Sequence, residues 1–198
     1  VGSEYDNPRG AKITDLVTKN GKFEYKVKLD KPKNLLFYRP FSQQDKKSVM
    51  MSGSIPAIPG ETVEIKGTVT DFQIKGTGFY KQFANLHNIT KGIQQVYFAE
   101  NEKYSAKTQD TKDENVKKEA AKAYQDAIKA AQEKLTADLK TYLQAHKNEE
   151  ASAYIASYLD TKDLDLVMNT LDPSIVNGRL SGIFDAVKAR IKAQEMQK

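Results

Sequence analysis

Few residues in this chain are of types that carry out chemistry. Cysteine is absent, which removes thiolate nucleophiles, disulfides and thiolate metal sites. Its two histidines, His87 and His146, fall on different predicted helices. With no acidic or histidine neighbour at ligand spacing, they read as polar ends on apolar stripes rather than as metal ligands or general bases. The acidic pairs Glu149/Glu150 and Asp163/Asp165 fall at helix starts, where negative charge offsets the helix dipole. Gly76-Thr77-Gly78 lacks the lysine and the length of a phosphate-binding loop and reads as a strand-to-helix turn. One aromatic-basic cluster remains: Phe37, Tyr38, Arg39 and Phe41 are the binding candidates. They could stack a sugar or a base, although packing in a strand core is the competing reading. Ten tyrosines without a tryptophan do not favour a carbohydrate platform. No catalytic residue, metal site or cofactor is expected from these residues.

The elements that would position them divide the chain. Asn20-Gly21 suits a two-residue type I′ turn. After it, Phe23, Tyr25, Val27 and Leu29 alternate with Lys22, Glu24, Lys26 and Lys28, as one wet and one buried face require. Before it, residues 1–10 read as a loop or the tail of a lost strand. Pro32 breaks the strand, residues 34–39 form another, 42–48 a turn and 48–51 a short strand. Pro56 and Pro59 hold their segment extended and out of a central ladder, and Pro59-Gly60 makes a turn with Gly60 at positive φ. A second hairpin points Val63, Ile65, Phe72 and Ile74 inward.

From Phe79 the period changes to three and four residues, the mark of a helix face. Helices are predicted over about 78–104 and 114–146, with a polar loop between them, and therefore an antiparallel hairpin. Ala120, Tyr124, Ile128, Ala131, Leu135, Leu139, Tyr142 and His146 make the stripe of the second helix. Shorter helices follow across 149–195, capped by Asn148, by Thr161 and by Asp172 ahead of Pro173. The fold class is α+β: an antiparallel β-domain over 1–76, either a small sandwich or a partly open barrel, then an all-helical region over 77–198.

Composition agrees with a folded chain: 39% hydrophobic and 29% charged residues in 198. No run of about 18 apolar residues exists, so no spanning helix is expected. Residues 1–20 carry no signal-peptide pattern. The net charge of +5 lies in the first half, where residues 1–100 hold 15 Lys/Arg against 10 Asp/Glu. Its single spacing reads as a solvated strand face rather than an anion-binding patch, and nucleic acid is not an expected partner.

Several phrases recur together in one family. VTKNGKFEY, IPAIPGETVEIKG, DFQIKGTGFYKQF, NEEASAYIASYL and LDPSIVNGRLSGIFDAV resemble the N-terminal region of Bacteroidetes cell-envelope thioredoxin-like proteins. These belong to the alkyl-hydroperoxide-reductase/thiol-specific-antioxidant (AhpC/TSA) group. In that family a lipoprotein-type signal, a β-domain of unknown function and a helical segment precede a thioredoxin-like domain with Cys-x-x-Cys. The resemblance runs along nearly the whole chain. It departs at both ends: the family's β-domain usually opens with another strand before the equivalent of residue 1, here absent or cut, and Lys198 ends a helix where the family continues into its redox domain. No family catalytic residue carries over. The resemblance implies a periplasmic or outer-membrane-anchored location, a lipid anchor upstream of residue 1, and a thioredoxin-like domain as partner in cis or in trans.

Three functions follow as expectations. The first is a non-catalytic accessory module of a thiol-disulfide oxidoreductase, serving docking, dimerisation or substrate selection. The second is a stand-alone envelope protein that binds a glycan or peptide. The third is a scaffold that forms homodimers through its helical hairpin.

Overall fold

The computed structural model describes residues 2–5, 12–14, 16–17, 19–20, 22–38, 52–68 and 71–196. It divides into two compact units, Val1–Lys81 and Gln82–Lys198. The chain is α+β, with antiparallel strands followed by helices.

In the first unit β1 (Gly2–Tyr5), β2 (Lys12–Thr14), β3 (Lys33–Tyr38) and β4 (Ser52–Ala57) form one sheet in the order β2-β1-β3-β4. Every neighbouring pair is antiparallel. A second, two-stranded sheet pairs β5 (Val63–Gly67) with β6 (Phe72–Gly76). Among the described residues neither sheet closes into a barrel.

Of the two readings of the first ten residues, loop or strand tail, residues 2–5 take the strand. Gly-Ser-Glu-Tyr has no apolar alternation, and its conformation is imposed by pairing with β2 on one side and β3 on the other. Pro56 sits in a strand, but β4 is the sheet edge, where a missing N–H costs no ladder bond. The expected strand over 48–51 lies outside the described residues.

The Asn20 turn is present. Lys19 N donates to Lys22 O (2.8 Å), Lys22 N donates to Lys19 O (3.0 Å), and Asn20 has φ +52°. Pairing stops at that single bridge, so the strand expected over Phe23–Leu29 is extended chain without a ladder among the described residues. The sheet has no place for it beside β3, whose two edges are taken by β1 and β4. Tyr25, Val27 and Leu29 are still half-buried, and the residues alternating with them are exposed.

Leu35 faces Ile55 across β3 and β4, and both are buried. In the small sheet Phe72 and Ile74 are buried, while Val63 and Ile65 are half-buried. Gly60 (φ +76°) completes the turn after Pro59, with Glu61 N donating to Ile58 O at 3.1 Å.

That turn delivers Glu61 to the start of α1 (Phe79–Thr108), whose own first turn holds no acidic residue. One carboxylate oxygen accepts from Phe79 N (3.2 Å), and the other from Thr77 Oγ1 (3.0 Å). An orphan N–H of the helix start is thus satisfied from eighteen residues upstream. Gly78, at φ +41°, leaves the space the carboxylate occupies: a Cβ there would lie 2.5 Å from Glu61 Oε1. The buried Tyr80 hydroxyl donates to Pro56 O (2.7 Å) and accepts from Ile58 N (3.3 Å).

In the second unit α1 runs alongside α2 (Glu114–Ala145), as expected for a hairpin. Gln132 Nε2 donates to Tyr97 Oη at 2.6 Å, and the rings of Tyr104 and Tyr124 lie 5.8 Å apart. Seven residues forward in α1 thus correspond to eight backward in α2, so the helices are antiparallel. Helix α1 runs four residues beyond the expected end, with Gln109 N donating to Ser105 O (2.9 Å) and the Thr108 hydroxyl to Tyr104 O (2.8 Å). Asp113 caps α2, accepting from Asn115 N at 2.8 Å. In the predicted stripe Ala120, Ile128, Leu139 and Tyr142 are buried, and the other four residues are half-buried.

The segment after α2 departs from expectation. Glu150–Ser157 is a 3-10 helix, and Asn148 does not cap it. Glu149 occupies the cap position without a side-chain cap bond, and Ala151 N is instead satisfied by Gln82 Oε1 of α1 (3.2 Å). Ala151–Ala156 are buried all round. Next come α3 (Leu164–Thr170), α4 (Pro173–Val176) and α5 (Gly182–Glu195). The cap position of α3 is Asp163, not Thr161, and its side chain makes no cap bond. Asp172 caps α4 ahead of Pro173 as expected, accepting from Ser174 N (2.8 Å).

Candidate functional site

The predicted binding residues start at the end of β3. Phe37 lies in register with Gly2 on β1 and Gly53 on β4, so neither neighbouring strand places a side chain opposite its ring. It is half-buried and meets the Phe23 ring at 6.2 Å in a tilted arrangement. Tyr38 ends the strand opposite Ser52. Arg39 and Phe41 lie outside the described residues.

Phe23 is 46% exposed and leads to a shallow hollow of about 480 Å³ lined by Lys19, Asn20, Lys22, Phe23 and Glu24. The turn that builds it is backbone-bonded through Lys19 and Lys22, which leaves both lysine side chains to solvent. Glu24 is held by Lys26 at 3.0 Å, both side chains being exposed. An ammonium pair beside an aromatic face can hold an anion attached to an apolar group. It offers no nucleophile and no acid-base pair.

A cluster of titratable groups lies in the second unit. Tyr142 donates to Glu149 Oε2 (3.1 Å), and His146 Nδ1 lies 3.0 Å from Glu149 Oε1. The His146 ring stacks on Tyr142 with centroids 4.0 Å apart and 17° between planes. His146 therefore does have an acidic neighbour, three residues on, which corrects the sequence reading. The α2 helix places Tyr142 and His146 four apart on one face, and the turn after it brings Glu149 back beneath them. Burial, followed by the Glu149 charge and the hydrogen bond to it, pushes the Tyr142 phenol well above the ordinary tyrosine value. A phenol held protonated is not a base at neutral pH. Ser152 Oγ donates to His146 O (2.8 Å), so the cluster clasps the end of α2 to the 3-10 helix.

The other acidic residues act similarly. Glu150 receives Nε and Nη2 of Arg179 at 2.6 and 2.7 Å, a fork-on-carboxylate pair between the 3-10 helix and the α4–α5 connection. Asp163 Oδ1 takes Lys140 of α2 at 2.8 Å, and its buried Oδ2 has no protein partner. Glu149, Glu150 and Asp163 are thus tied to neighbouring elements rather than serving only as helix-terminal charges. The partners of Glu150 and Asp163 are remote in sequence, which is why these two ties were not legible; those of Glu149 (His146 and Tyr142) lie only three and seven residues back.

His87 is buried, with its ring 6.2 Å from Phe83. No group of three or more His, Cys, Asp or Glu able to hold a metal ion occurs among the described residues. No helix among them is long and apolar enough to cross a membrane. No family model, curated protein or solved structure matches the chain.

Proposed function

We propose that this chain is the non-catalytic accessory module of a cell-envelope thiol-disulfide oxidoreductase, acting in docking, dimerisation or substrate selection. The observation that carries the reading is the absence of cysteine from a sequence whose successive motifs resemble the part of that family ahead of its redox domain. The acidic ties of the second unit support it, since Glu149, Glu150 and Asp163 are spent on holding elements together. On this reading the partner is a thioredoxin-like domain in cis or in trans, and the location is the periplasm or the outer-membrane surface. A lipid anchor upstream of residue 1 belongs to the same reading.

The test is deletion of these residues from the native gene product. Reduction of a small disulfide should keep its kcat, while kcat/KM for a protein disulfide falls by about tenfold, roughly 1.4 kcal/mol of transition-state binding. Loss of small-disulfide reduction, or an unchanged kcat/KM for the protein disulfide, would overturn it.

The hollow beside Phe23 favours a second reading, a stand-alone envelope protein that binds a glycan or peptide. Glycan and peptide arrays that return no binder would count against it.

A further inference from the structure

We infer that the hollow lined by Lys19, Asn20, Lys22, Phe23 and Glu24 is a docking site for an extended acidic segment of a partner polypeptide, its carboxylates on Lys19 and Lys22 and an apolar side chain on Phe23. Residues 19–31 hold Lys19, Lys22, Lys26, Lys28 and Lys31 against only Glu24 and Asp30, so a net +3 of the chain's +5 lies in thirteen residues.

Lys19 and Lys22 are paired directly across the turn, which places both side chains on the same face. Like charges so opposed destabilise a hairpin, and among the described residues neither has a carboxylate at ion-pair distance. Lys26, by contrast, is answered by Glu24. The unanswered pair therefore stands exposed at the rim of a concavity beside a half-exposed aromatic ring, and Val17, just before the turn, is 88% exposed.

The shape selects among anionic partners. A flat lipid surface leaves a concavity unfilled, whereas an extended chain presents acidic and apolar side chains in alternation. The Phe23 ring already has one aromatic neighbour, Phe37, at 6.2 Å, so an apolar side chain entering from the hollow completes a partly built cluster. This binding needs no redox partner, so its failure leaves the accessory-module reading standing.

The experiment is fluorescence anisotropy of the whole chain with a labelled peptide alternating glutamate with leucine and phenylalanine. A glutamine-for-glutamate peptide serves as control, and vesicles of phosphatidylglycerol as a second arm. The acidic peptide should bind. Lys19→Gln/Lys22→Gln should weaken it by at least about tenfold, and Phe23→Ala by several-fold. Raising salt from about 50 to 300 mM should weaken it further. The lysine bridge is made by backbone atoms, so these variants keep the turn, as circular dichroism would verify. Equal binding of the glutamine peptide, indifference to the double lysine substitution, or binding of vesicles but not peptide would each overturn the proposal.

Discussion

The junction of β6 and α1 allows a prediction with a built-in control. Glu61→Ala removes a carboxylate that accepts from the N–H of a fully buried residue, Phe79, at a helix start. A hydrogen bond to a charged acceptor contributes about 1.5–3 kcal/mol, and the solvent-facing bond to Thr77 adds little, so the loss should be about 2 kcal/mol. Glu61→Gln keeps an acceptor and should lose about 1 kcal/mol. Gly78→Ala carries two penalties. Its φ of +41° costs an alanine about 1 kcal/mol, and the new Cβ, 2.5 and 2.6 Å from the two carboxylate oxygens, expels the same cap. The single variant should therefore lose about 3 kcal/mol. The double variant should also lose about 3 kcal/mol rather than the additive sum of about 5, because the cap can be lost only once. Urea unfolding followed by circular dichroism, with m-values compared across the wild type and the four variants, measures this directly. An additive double variant would refute the claim that Glu61 and Gly78 are parts of one device.

Two further outcomes follow from the helical unit. Tyr142 keeps its proton in the folded state above the pH where an unfolded tyrosine ionises, about 10, so folding stability is lost as pH rises from there. Tyr142→Phe should remove that part of the decline, worth about 1.4 kcal/mol by one pH unit above the ordinary value; a wild-type-like slope between about pH 9 and 11 would contradict it. Gly92 lies inside α1 with nothing within 4 Å of where a Cβ would stand. Gly92→Ala should therefore stabilise the chain by about 0.5–1 kcal/mol and raise Tm by a few degrees, and a lowered Tm would show a packing role for the glycine.

What was legible in the sequence was local. Asn20, Pro59-Gly60, Asp172-Pro173 and the three- and four-residue period from Phe79 each encode their conformation within a few residues, and each appears where expected. What was not legible depends on partners far along the chain. Strand β1 has no pattern of its own and exists by pairing with β2 and β3. The caps that matter for α1 and for the 3-10 helix come from Glu61 and Gln82, not from their own cap residues. Asn148 is a good capping residue by type, but the N–H that needs an acceptor is reached by Gln82 instead. Of the aromatic-basic candidates, Phe37 meets Phe23, fourteen residues upstream. The lysines facing across the turn could have been read from Asn20-Gly21, since a two-residue turn pairs its flanking residues.

Whether the chain serves a redox protein without doing its chemistry can be read from the native gene product. Its intact mass should be measured, and its free thiols counted after reduction. The account predicts a mass roughly 15 kDa above the 22.2 kDa of these residues, the size of one further domain, with at least two thiols. A product of about this mass without thiols, and with no thioredoxin-like protein bound to it, would contradict it.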